Sequence, residues 1–168
     1  MKFKLHFFAI PLAILVFGVL QSCNSDDTLT EYIADDDSFT SFTSWSLDAE
    51  EMGIDPALGA AHGGNNENTI RKIYFHNAVS PDDGEYPIGT KIVKRSYNPD
   101  GSLDMYTAMV KRGNDFDPDN GDWEYFVIGS DGSIVTDADG NIMRGANLMG
   151  GMCLGCHSQA STDYIFSK

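Results

Sequence analysis

Five short segments rich in β-branched and aromatic residues recur between clusters of turn formers, and no other feature of the chain restricts its fold as tightly. They cover 70–75, 90–97, 103–110, 123–128 and 134–136. Gly, Asn, Asp and Pro at 98–101, 118–121, 130–132 and 139–141 supply the hairpin and loop chemistry between them. This spacing predicts a mainly β (α+β) fold, an antiparallel sheet with a few short helices. One such helix is expected within 38–53, where Ser and Asp precede Glu50 and Glu51, and 59–68 (GAAHGGNNEN) is a loop by composition. The Asp-rich turns at 115–119 and 137–141 space their carboxylates like calcium ligands. An EF-hand loop also needs Gly at its sixth position and Glu at its twelfth, and both are missing.

A length of 168 residues suits one domain of ordinary size. With 25 Asp and Glu against 11 Lys and Arg, the net charge is -14, which leaves no basic surface for nucleic acid. The three cysteines form an odd count, and the N-terminus accounts for one. Residues 1–22 carry Lys2 and Lys4, an apolar run over 7–20, and small or polar residues before Cys23. The run falls short of the roughly 20 apolar residues that a membrane span needs. Residues 1–22 therefore read as a signal peptide, and Leu20-Gln21-Ser22-Cys23 resembles the bacterial lipobox, in which the cysteine thiol is lipidated. The expectation is an exported protein anchored by its lipid to the outer membrane, on the periplasmic or surface face, with 23–37 as an acidic tether and 38–168 as the folded domain. Acidic residues after the lipidated cysteine also resemble the surface-export signal of some bacterial lipoproteins.

The other two cysteines stand in Cys153-Leu154-Gly155-Cys156-His157, the CxxCH pattern of c-type haem attachment. Two thiols three residues apart meet two vinyl groups of one haem, and the adjacent imidazole is an axial iron ligand. Two other readings compete with it. A redox dithiol would open a helix in a βαβ setting, a pattern the chain lacks. A structural zinc site would need His62 or His76 and an acid to complete it. No Met or His follows His157, so a sixth protein ligand would have to come from Met105, Met109, Met143, Met149 or Met152. Methionine in such settings is commonly core filler. The expected iron is open at its sixth position, and an open haem binds small molecules or does chemistry.

At this point the residues resemble a family. The ordered set Gly89-Thr90-Lys91-Ile92-Val93-Lys94, Tyr106 to Lys111, Gly121-Asp122-Trp123, Cys153 to His157 and Asp163-Tyr164-Ile165-Phe166 is similar to the cytochrome P-460 family, which includes the cytochromes c′-beta. The resemblance implies an antiparallel β fold, a homodimer, and one covalent haem c near the C-terminus with an open axial face. It implies a small gaseous or nitrogenous ligand such as nitric oxide, and, as an alternative, a P-460-type oxidoreductase (hydroxylamine oxidation or peroxidase-like). A second alternative, beside the resemblance, is an electron-transfer cytochrome with a redox partner protein. Lys94 matches the lysine that P-460 members join covalently to the haem. Hydroxylamine oxidation also relies on a distal acid, and 105–109 (MYTAM) holds no carboxylate. His62 in its glycine-rich loop and Arg71, whose fork suits a haem propionate, are the remaining pocket candidates.

Overall fold

The computed structural model describes residues 30–54 and 65–166. The proposed signal peptide, Cys23 and His62 lie outside the described residues. Six strands follow one another: β1 (Ser46–Met52), β2 (Ile70–Phe75), β3 (Lys91–Tyr97), β4 (Asp104–Lys111), β5 (Trp123–Ile128) and β6 (Arg144–Gly145). They pair antiparallel in chain order, a six-stranded meander. A helical segment, α1 (Leu148–His157), comes after the sheet.

Side chains alternate across this sheet, and each face buries its own core. On the first face Val93, Ala108, Val110, Phe126 and Ile128 lie under Ala34, Phe39 and Phe42. The ring of Phe39 meets Phe126 edge-on at 5.0 Å, and Phe42 meets Tyr74 and Tyr106 at 5.7 Å. On the second face Phe75, Ile92, Met109, Trp123 and Tyr125 lie under Leu148 and Ile165, with Cys153, Leu154 and Tyr164 packed alongside. The chain before β1 thus covers one face, and the chain after β6 covers the other.

Three expectations need correction. Residues 31–37, expected in the tether, belong to the fold. Ala34 is 2% exposed, the Tyr32 amide donates to the Arg112 carbonyl at 2.9 Å, and Glu31 pairs with Arg112 at 3.0 Å. Arg144 donates to the Ala34 carbonyl at 2.7 Å while gripping buried Glu124. Apolar side chains interspersed among the acids give this strap something to bury. The expected helix in 38–53 is instead a 3-10 turn at Phe42–Ser44 followed by β1. Ala, Glu and Met favour helix, but Glu50 faces Lys72 at 3.3 Å and Glu51 faces Arg71 at 3.6 Å across the pair with β2, and tertiary pairing overrides the local preference. Residues 134–136 contribute only isolated bridges, Ile128 to Ile134 and Thr136 to Ile142.

The turns follow their chemistry. The Asp137 carboxylate accepts from the amides of Asp139 and Asn141 at 2.9 and 2.8 Å, and Asp117 binds the Asn120 side chain at 3.0 Å. These carboxylates are occupied in closing loops. Gly132, at φ +92°, lets the 130–132 turn pass against the Phe39 carbonyl, where a Cβ would collide with it.

Candidate functional site

The site begins with a change of helical hand. Met149, Gly150 and Gly151 take φ of 54°, 67° and 83° inside α1, a left-handed run that glycine tolerates. A Cβ on Gly151 would lie 2.7 Å from the Asn147 side-chain oxygen. After this run the chain turns back to carry Cys153, Cys156 and His157. Positions i, i+3 and i+4 of a helix share one side, so both sulfurs and the imidazole are presented together. Neither cysteine is in a disulfide, and both are half-buried.

His157 is held by its backbone surroundings. Its Nδ1 lies 2.7 Å from the Tyr164 carbonyl oxygen. A carbonyl only accepts, so Nδ1 carries the proton and Nε2 keeps the lone pair. Burial, set against the Tyr164 bond, lowers the imidazole pKa below its ordinary value, and the charge of Lys94 lowers it further. The imidazole ring packs between Tyr125 at 5.4 Å and Phe166 at 5.8 Å. Phe166, and Met149 and Met152 earlier in α1, expose apolar surface.

Two observations bear on whether these residues suit a haem. The donor set is that of haem c: two thiols on one side of a turn, and a neutral imidazole whose second nitrogen is tied to a backbone acceptor, as metal-bound histidines usually are. In addition, the Tyr125 hydroxyl is buried beside them without a hydrogen-bond partner. Burial is the main cause that drives its pKa far above the ordinary phenol value, with Cys153 adding to it. An orphaned buried hydroxyl is costly, and a bound group could relieve it. The residues fit.

Lys94 sits on the same face as the second core. In the register its neighbours are Ile73 on β2 and Thr107 on β4. Burial raises the Cys153 thiol pKa, and the Lys94 ammonium opposes that rise. Lys94 thus acts on both Cys153 and His157. Arg71 is engaged elsewhere: it is 6% exposed, donates to the Gly53 carbonyl and pairs with Glu51, so its visible role is to fasten the β1 edge. His76 packs against Trp45 at 4.9 Å, and Trp45 belongs to the first core. It therefore lies across the sheet from Cys153. Among the described residues no three His, Cys, Asp or Glu side chains converge to hold a metal ion. Of the methionines, Met109 is buried in the second core, Met143 packs against it, and Met149 and Met152 are exposed.

One group has no counterpart in the sequence reading. The Lys111 ammonium donates to both oxygens of Asp163 at 2.9 Å, with side-chain exposures of only 8% and 4%. Asp163 also accepts from the Trp123 indole at 3.1 Å and from the Tyr86 amide at 2.8 Å. Lys111, Trp123 and Asp163 all fall inside the ordered set quoted above, which was the available signal.

Comparison with models of protein families, with curated proteins and with solved structures finds no match to this chain. No helix among the described residues is long and apolar enough to cross a membrane.

Proposed function

We propose that the protein is a lipid-anchored monohaem c-type cytochrome that binds nitric oxide or a related small nitrogen or oxygen species at an open iron position. The observation that carries this reading is the helical spacing of Cys153, Cys156 and His157 in α1, with the His157 Nδ1 tied to the Tyr164 carbonyl at 2.7 Å. Cys153 and Cys156 would hold haem c through thioethers, and His157 Nε2 would be the axial ligand. When bound, the haem supplies an iron that can accept a diatomic ligand or exchange an electron.

The chain's own residues do the rest. The Tyr164 carbonyl orients His157, while Tyr125 and Phe166 restrict its ring. Leu148 and Ile165 close the second core beneath the motif and exclude water from it. An open sixth position agrees with His76 lying across the sheet from the motif.

Lys94 favours a second reading, the P-460-type oxidoreductase, because it shares a face with Cys153 and His157. Against catalysis of hydroxylamine oxidation, its register neighbours are Ile73 and Thr107, neither of which can act as a base near pH 7. Resemblance to the cytochrome P-460 and c′-beta family supports the first reading through the ordered motifs. Cys23, as lipid attachment point, would place the domain at the outer membrane.

Absorption spectra of the purified full-length protein, oxidised and reduced, with and without nitric oxide, test the function. A five-coordinate haem spectrum that changes with nitric oxide is expected. A six-coordinate low-spin spectrum in both states, unmoved by nitric oxide or carbon monoxide, would favour electron transfer. Loss of two hydrogens from a haem-peptide mass that includes Lys94 would support the oxidoreductase.

A further inference from the structure

The Lys111 and Asp163 pair is an expensive way to anchor a C-terminal segment. Two charges buried together rarely return more than their desolvation costs, and an apolar pair of similar volume commonly serves as well. The backbone beside the pair is also strained. Asp163 and Tyr164 take φ of 40° and 63°, left-handed values that non-glycine residues seldom adopt, and such strain clusters where geometry serves function.

The strained pair has two outputs. The Asp163 side chain is held by Lys111, Trp123 and the Tyr86 amide, while the carbonyl of the next residue meets His157 Nδ1 at 2.7 Å. Tyr164 itself is gripped on its far side. Its hydroxyl donates to the Asp119 carbonyl at 3.3 Å, and its ring lies so close to Gly121 that a Cβ there would meet it at 2.9 Å. The Ile165 amide closes the turn on Thr162 at 2.8 Å, and Ile165 is buried in the second core. The Tyr164 carbonyl is thus fixed by contacts from β4, from β5 and from the loop before β5.

We propose that Lys111 and Asp163 are a positioning pair that fixes the Tyr164 carbonyl against His157, locking the imidazole as its Nδ1–H tautomer and tuning the iron it would hold. The proposal rests on His157 being the axial ligand. A proton shared with a fixed acceptor makes the opposite nitrogen a stronger donor, which stabilises the oxidised metal and lowers its potential.

The experiment uses the full-length, haem-loaded protein with Asp163→Asn and Lys111→Met, and Lys111→Arg as the conservative control. The midpoint potential is expected to rise in the first two, and the Nδ1–H proton of His157 to exchange with solvent at least about tenfold faster, as a loss of fixed bonding allows. Lys111→Arg should restore both values. Unchanged potential and exchange in folded Asp163→Asn would overturn the proposal and leave the pair an anchor only. Should neither variant fold, Trp123→Phe removes one donor to Asp163, and a smaller positive shift is expected. No shift there would equally overturn it. If the wild-type chain carries no haem, nitrogen-15 spectra of His157 in the unloaded chain read the same bond. An Nδ1–H signal that becomes a tautomer mixture in Asp163→Asn would then uphold the positioning pair while the haem reading fails. A mixture already present in the wild type would overturn the pair.

Discussion

Tyr125→Phe removes a single oxygen from the centre of the candidate site, and its effect should depend on whether the chain is loaded. Tyr125 is 3% exposed, and its hydroxyl has no hydrogen-bond partner. Leaving such a group unsatisfied costs about 1–3 kcal/mol. The ring itself, packed with Met109, Trp123 and Leu148, is kept by phenylalanine, so the substitution loses no apolar contact and opens no large cavity. The unloaded variant should therefore be more stable than the unloaded wild type by about 1–3 kcal/mol. In urea titrations this is a higher midpoint at unchanged slope. If the bound haem or a water held with it satisfies the hydroxyl, the advantage should shrink or reverse in the loaded protein. A destabilised unloaded variant would refute the reasoning, since it would mean that the hydroxyl is already well bonded.

Cys156→Ala should leave a chain that attaches haem through one thioether at most, and Cys153→Ser with Cys156→Ser should attach none, both read by intact mass. Phe39→Ala should cost about 3–5 kcal/mol, because Phe39 is fully buried against Phe126; a loss below about 1 kcal/mol in denaturant titration would mean that the chain before β1 does not contribute to the core. Hydrogen bonds from the Asn141 side chain hold Asp137 below the usual carboxylate range, those from Ser102 do so for Asp100, and the Ser133 amide does so for Asp131. Depressed folded-state values make their contribution complete above the unfolded value of about 3.9 and lose it as pH falls through the folded values. The melting temperature should accordingly decline below about pH 4, and a rise on acidification from pH 5 to 3 would contradict that sign.

The strands legible from sequence are those whose alternation is set by large side chains. β2 and β5 coincide with the expected 70–75 and 123–128, because IRKIYF and WEYFVI fill both cores at once. β1 was hidden because SLDAEEM has helix-forming residues and little to bury, and its strand state depends on Lys72 and Arg71 in the neighbouring strand. The strap was hidden by its charge: Asp35, Asp36 and Asp37 mask Tyr32 and Ala34. At the site, CxxCH is legible because its spacing is a local property of one turn. A shared face for Lys94 and Ile92 follows from the two-residue period of β3. Asp163 and Lys111 stand 52 residues apart, and only the closure of the C-terminal segment over the sheet makes them a pair. Arg71 illustrates the converse. Its charge is visible in the sequence, but its partners, Glu51 and Gly53, lie in and just after an edge strand that the sequence disguised.

The measurement that tests haem attachment most directly is the mass of the purified chain after expression with a cytochrome c maturation system, followed by peptide mapping. One haem joined through thioethers to Cys153 and Cys156, on the peptide that also carries His157, is the expected result. A chain with both thiols free and no haem absorption after such expression would contradict the proposed function.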